Sequence, residues 1–216
     1  MIERRMIKRF KTHSIIFHWV HAALFVIMGI TGVLMLFHLT GFREGYTVRV
    51  IHLVSAAMFV GIPAMYCLSY PTTAFDFLKE SFHWDKDDLS WLVLAPRYYF
   101  GGREDAMPPQ ARINGDQKLW QINIIVSCVV LLVSGIVLWL FRMNISVLTY
   151  QMFLLAHGMA FHLLSLGFLL HFYLTSFHPY FEESLSSMID GRISSSYARK
   201  HYSKWLDNTV GKNEDN

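Results

Sequence analysis

The chain has 216 residues, of which 53% are hydrophobic and 16% charged, and a formal net charge of +3. Its mean hydropathy is +0.32, and charge-free runs long enough to cross a bilayer make it an integral membrane protein. The basic residues are spread among acidic ones and give no case for nucleic acid. Cys67 and Cys128 match neither CxxC nor CxxCH, which disfavours a covalently attached haem, an iron–sulfur cluster and a thiol-bound zinc site.

The basic start followed by an apolar run superficially resembles a signal peptide. The run is too long for one, contains His18 and His21, and lacks a small-residue cleavage site, so it is read as a span. Four spans are predicted, over residues 15–37, 50–70, 119–141 and 149–175, forming one all-α four-helix bundle across residues 1–216. Lys and Arg gather before the first span, between the second and third, and after the fourth, whereas the other side has only Arg43, Arg49 and Arg142. Both termini, the long loop and the tail should therefore be cytoplasmic.

The first span opens with His18 and His21 on neighbouring parts of one face, His18 being the preferred ligand and His21 the fallback. Gly29 and Gly32 suit either close helix packing or a helix face against a flat macrocycle. Arg49 lies one turn before His52 at the start of the second span, where it could pair with a propionate or be a solvated flank. Pro63 should kink that span.

In the loop, residues 85–99 read as a short helix on the membrane interface, and GGREDAMPP breaks regular structure. Asn114 and Gln117 suit a helix start, while Asp116 and Lys118 read as solvated flanks or proton relays. The fourth span contains LLAHGMAFHLLSLGFLLHFY, with His157, His162 and His171. His157 and His171 share a helical face, offset by about 40° and separated by about 21 Å. His162 is turned by about 140° from His157 and should face elsewhere. The tail, residues 182–216, reads as a helix, a turn at Asp190 and Gly191, and a second helix, solvated or subunit-docking, with GKNEDN disordered.

Ionisable side chains in hydrocarbon are costly and face the bundle interior. Helix-packing histidines are one reading. By position along the spans, however, His18 pairs in depth with His171 on the cytoplasmic side, and His52 with His157 on the outer side. Two depth-matched pairs point to two haem b groups, each held by two imidazoles, with no open iron position and thus electron transfer rather than oxygen chemistry.

The chain resembles the gamma subunits of membrane-bound formate dehydrogenases. The matching pieces are F-H-W at His18, R-V-I-H at Arg49 to His52, D-L-S-W-L in the loop, N-G-D-Q-K at Asn114 to Lys118, and S-G-I-V-L-W at Ser134 to Trp139. L-L-A-H and L-L-H-F-Y in the fourth span, and M-I-D-G-R-I and A-R-K-H in the tail, complete the series. The resemblance implies a dihaem cytochrome b in the bacterial inner membrane, with His18 and His171 on the inner haem and His52 and His157 on the outer. It also implies a menaquinone pocket at Asn114 and Gln117 beside His171, an iron–sulfur partner, and a molybdenum or tungsten catalytic subunit, with no dehydrogenase site in this chain. The electron donor, and a higher oligomer of the complex, stay open. Asp116 departs from the small residue the family has before the glutamine, and Pro63 is a second departure. Cytochrome b subunits of hydrogenases and thiosulfate reductases share the plan, and a metal or proton transporter using the same histidines is the alternative from another class.

Overall fold

A computed structural model describes residues 5–101 and 107–214. A short strand, β1 (Met6–Lys8), precedes the helices α1 (Thr12–Leu36), α2 (Phe42–Ser69), α3 (Pro71–Phe82), α4 (Lys86–Tyr99), α5 (Gly115–Leu140) and α6 (Val147–Ser176). After a 3-10 turn, the tail holds α7 (Glu182–Asp190), β2 (Arg192–Ser194), α8 (Ser195–His201) and α9 (Ser203–Glu214). The fold is an all-α membrane helical bundle whose four long apolar helices are α1, α2, α5 and α6. The shortest, α1, has 25 residues and so extends about 37 Å, enough to cross a hydrocarbon core of about 30 Å. Each helix runs within a few residues of the expected span, except that α2 starts eight residues early. It continues unbroken through Pro63.

The chain divides into two compact units. One is built from the described residues of Met1–Thr12, Phe77–Val126 and Leu166–Asn216, the other from His13–Asp76 and Ser127–Ser165.

The first unit is tied by pairing of the chain's two ends. β1 runs antiparallel to β2 with Met6 opposite Ser194 and Lys8 opposite Arg192. Gly191, at φ 81°, ends α7 in the left-handed conformation that glycine adopts without strain. Its carbonyl accepts from Arg9 N at 2.8 Å and Phe10 N at 3.1 Å. The turn at Asp190 and Gly191 is therefore where the sequence puts it. One face of the tail packs into the chain itself, while Ile189, Arg199 and Lys200 are exposed. Ile193, Ala198 and Tyr202 are fully buried with Tyr197 and Leu206, and Lys204 N donates to Gln110 O at 3.1 Å. The helix α9 continues through Glu214, so most of GKNEDN is helical, with Asp215 and Asn216 outside the described residues.

The loop between α2 and α5 carries two helices where one was expected. α3 starts directly at Pro71, a residue preset for the first helical position. α4 opens on a reciprocal cap in which Asp85 accepts from Asp88 N and Asp88 from Asp85 N, both at 2.9 Å. Its Trp91, Ala95 and Tyr98 pack with Phe181, while Leu89 and Val93 on the other face are exposed. One face thus meets a core, and only the other suits an interface with lipid. Of GGREDAMPP, residues 102–106 lie outside the described residues, and residues 107–109 are irregular.

Candidate functional site

In the second unit two histidines are held in one repeated way. His52 of α2 has Nδ1 2.9 Å from Thr31 Oγ1 of α1. His157 of α6 has Nδ1 2.9 Å from Ser134 Oγ of α5. A hydroxyl inside a helix bonds back to the preceding turn. Thr31 Oγ1 donates to Ile27 O at 2.8 Å and lies 3.1 Å from Met28 O, and Ser134 Oγ donates to Val130 O at 2.5 Å and lies 3.3 Å from Leu131 O. Each hydroxyl is followed by a glycine. A Cβ on Gly32 would stand 3.6 Å from His52 Cε1, and one on Gly135 3.4 Å from His157 Cε1. Each ring therefore lies against a helix surface that has no side chain there. His157 is within electrostatic reach of His52, so this unit brings together one of the two expected pairs.

The remaining histidines of the unit differ. His21 turns Nδ1 to Phe17 O at 3.1 Å and Nε2 to Phe59 O at 3.3 Å. With both nitrogens against carbonyls it packs α1 onto α2 and is a poor metal ligand. His162 is exposed, with Nδ1 2.6 Å from Gly158 O, turned away from His157 as its register requires. His18 is half-buried and edge-on to Trp19. Arg49 is exposed on α2. His13, outside the apolar run of the first span, stacks on Tyr70 at 3.9 Å with Nδ1 2.9 Å from Tyr66 Oη.

His171 belongs to the first unit, so His18 and its expected partner lie in different units. It stacks on Trp120 of α5 at 5.6 Å. Gly167, one turn earlier, makes room for that indole, since a Cβ there would overlap Trp120 Cζ3. Asn114 and Gln117 form a reciprocal cap on α5. Gln117 N donates to Asn114 Oδ1, and Asn114 N to Gln117 Oε1, both at 3.2 Å. Gln117 Nε2 also reaches Tyr202 Oη at 3.4 Å.

The two flanking charges are not solvated. Lys118 and Asp88 form a buried ion pair at 2.6 Å, and Lys118 Nζ also donates to His83 O at 2.9 Å. Tyr99 donates to Asp116 Oδ2 at 2.5 Å, and burial, then the Asp116 carboxylate, push the Tyr99 phenol well above its ordinary range.

A cytochrome b needs imidazole ligands with a ring nitrogen free to bind iron and the other fixed by a hydrogen bond. The donor set of His52 and His157 fits that need. The family described as prokaryotic cytochrome b561 matches residues 9–191. The chain is 28% identical to the cytochrome b556(Fdn) subunit of the nitrate-inducible formate dehydrogenase of Escherichia coli K12, over 56% of this chain and 55% of that one. It is 26% identical to the formate dehydrogenase cytochrome b556 subunit of Haemophilus influenzae, over 57% and 53%. In both cases the match spans about half the relative's length. With the cytochrome b556(fdo) subunit of E. coli K12 it shares 23% identity over 95% of this chain and 94% of that one. By the extent of the family match, the chain belongs to the prokaryotic cytochrome b561 family.

Proposed function

We propose that this chain is the membrane subunit of a formate dehydrogenase-like respiratory complex in the bacterial inner membrane. In this reading it carries electrons from an iron–sulfur partner on the outer face to menaquinone near the cytoplasmic face. A molybdenum or tungsten subunit performs the dehydrogenation. The observation that carries the reading is the twin arrangement of His52 and His157, each with Nδ1 on a hydroxyl of a neighbouring helix. A haem b bound there would supply one-electron transfer. His52 and His157 would hold it, and His18 and His171 a second one.

The basic loop and tail argue for the cytoplasmic side of the first unit. Quinone reduction consumes protons, which suits Gln117, His171 and the Tyr99–Asp116 pair in that unit. Asn114 and Gln117 support the pocket only in part, because their amide oxygens already cap α5.

A reduced-minus-oxidised spectrum and a haem determination on the purified chain test the reading. Two haems b per chain are expected, falling to one in His52→Ala and in His157→Ala, and staying at two in His21→Ala and His162→Ala. A colourless chain would leave a histidine-based transporter instead. Asn114→Asp and Gln117→Ala should slow menaquinone reduction in the assembled complex while both haems stay bound. Wild-type rates in both would move the pocket elsewhere. Copurification with an iron–sulfur protein tests the partner.

A further inference from the structure

The geometry points to Thr31 and Ser134 as positioning residues: we propose that they fix the imidazoles of His52 and His157 in one tautomer and raise the electron donation of both. This rests on the haem reading above.

A hydroxyl has one proton, and in each case a carbonyl one turn back takes it, Ile27 O at 2.8 Å and Val130 O at 2.5 Å. Towards the ring the hydroxyl oxygen can then only accept, so the imidazole donates through Nδ1–H. Both neutral rings therefore keep the lone pair on Nε2. Pulling the Nδ1 proton towards an acceptor makes the ring a stronger donor, which favours ferric over ferrous iron and lowers the midpoint potential.

The arrangement recurs on two hairpins far apart in the chain. Hydroxyl and histidine are 21 residues apart in the first and 23 in the second, and a glycine follows the hydroxyl in both. Helix packing alone asks for a small residue at each contact, but it does not ask that both hydroxyls meet the same nitrogen of a histidine.

The test uses the full-length chain, purified with whatever subunits accompany it, in wild-type form and as Thr31→Val, Ser134→Ala, the double variant and Thr31→Ser. Redox titration followed by haem absorbance, together with low-temperature electron paramagnetic resonance, gives the readout. Thr31→Val and Ser134→Ala should each raise the midpoint potential of one haem and shift its low-spin signal, leaving the other unmoved. The double variant should raise the same haem further, and Thr31→Ser should behave as wild type. Loss of that one haem in Thr31→Val but not in Thr31→Ser would support the same role, because Val keeps the shape of threonine without its hydroxyl and Ser keeps the hydroxyl without its methyl. Unchanged potentials and signals in both single variants, or equal disturbance by Thr31→Val and Thr31→Ser, would overturn it. A wild-type chain without haem b would instead overturn the functional reading on which it rests.

Discussion

The two units satisfy their polar groups in opposite ways. In the first, partners come from far along the chain: Arg9 donates to Arg112 O at 2.8 Å and stacks on Tyr202, Lys118 pairs with Asp88, and Ser81 donates to Gln121 at 2.7 Å. In the second, Thr31, Ser134, His21 and His162 turn to carbonyls four residues back on their own helices. Cross-linked polarity holds a unit together. Polarity satisfied within each helix contributes little between helices; there, His52 and His157 each turn Nδ1 to a hydroxyl of the neighbouring helix, unlike His21, whose two nitrogens both face carbonyls.

The contrast predicts where substitutions are costly. Lys118→Met leaves Asp88 as an uncompensated buried charge and should cost about 3–5 kcal/mol, seen as a large drop in melting temperature in detergent. If Lys118→Met melts like wild type, the first unit is not held by its cross-links. Next is acidity. Burial, then the charges of Lys200 and Arg9, hold the His201 ring down at about 4, whereas an unfolded histidine takes its proton near 6.5. The unfolded state therefore binds the proton first as pH falls. Stability of the first unit should decline between about pH 6.5 and pH 4, by on the order of 3 kcal/mol, and level off below. A stability–pH profile of His201→Gln should lack that slope.

Smaller in stability but local in effect, Gly167→Ala drives a methyl into Trp120 and should cost about 1–3 kcal/mol. Because Trp120 stacks on His171, haem bound through His171 should be disturbed while a haem on His52 and His157 is not, which a haem determination with redox titration resolves. Smallest is Lys204→Met. Its contacts to Asp85 and Asp87 are half-exposed, and their loss should cost below about 1 kcal/mol. Lys204, then its hydrogen-bond partners at the start of α4, hold Asp85 at about 2. This contribution is present above about pH 4 and disappears as pH falls towards 2. A drop in melting temperature comparable to that of Lys118→Met would mean that surface and buried pairs are not distinct here.

The spans were legible because apolar runs of that length bury themselves most readily in a bilayer, and His162 was placed correctly by register alone. α3 was not legible, since PTTAFDFLKESF follows a span directly and reads as its polar exit. The buried face of the tail was not legible because it depends on partners such as Gln110 and β1, which nothing local announces. Asp116 and Lys118 sit where a solvated flank belongs, and only Tyr99 and Asp88 give them another meaning. Thr31 and Ser134 carry a signal in the Thr-Gly and Ser-Gly pairs. It becomes readable only once the histidines some twenty residues later are known to fold back onto them.

The ladder between β1 and β2 also sets an order of assembly. The strand that leaves the ribosome first cannot find its partner until all four spans have been made, because β2 follows the last of them. The first unit thus closes only after the four spans have been made. Until it does, Arg9 lacks the Gly191 carbonyl and Tyr202 ring that receive it, and a chain stopped before residue 191 would have its four spans but not the strand that pairs with β1.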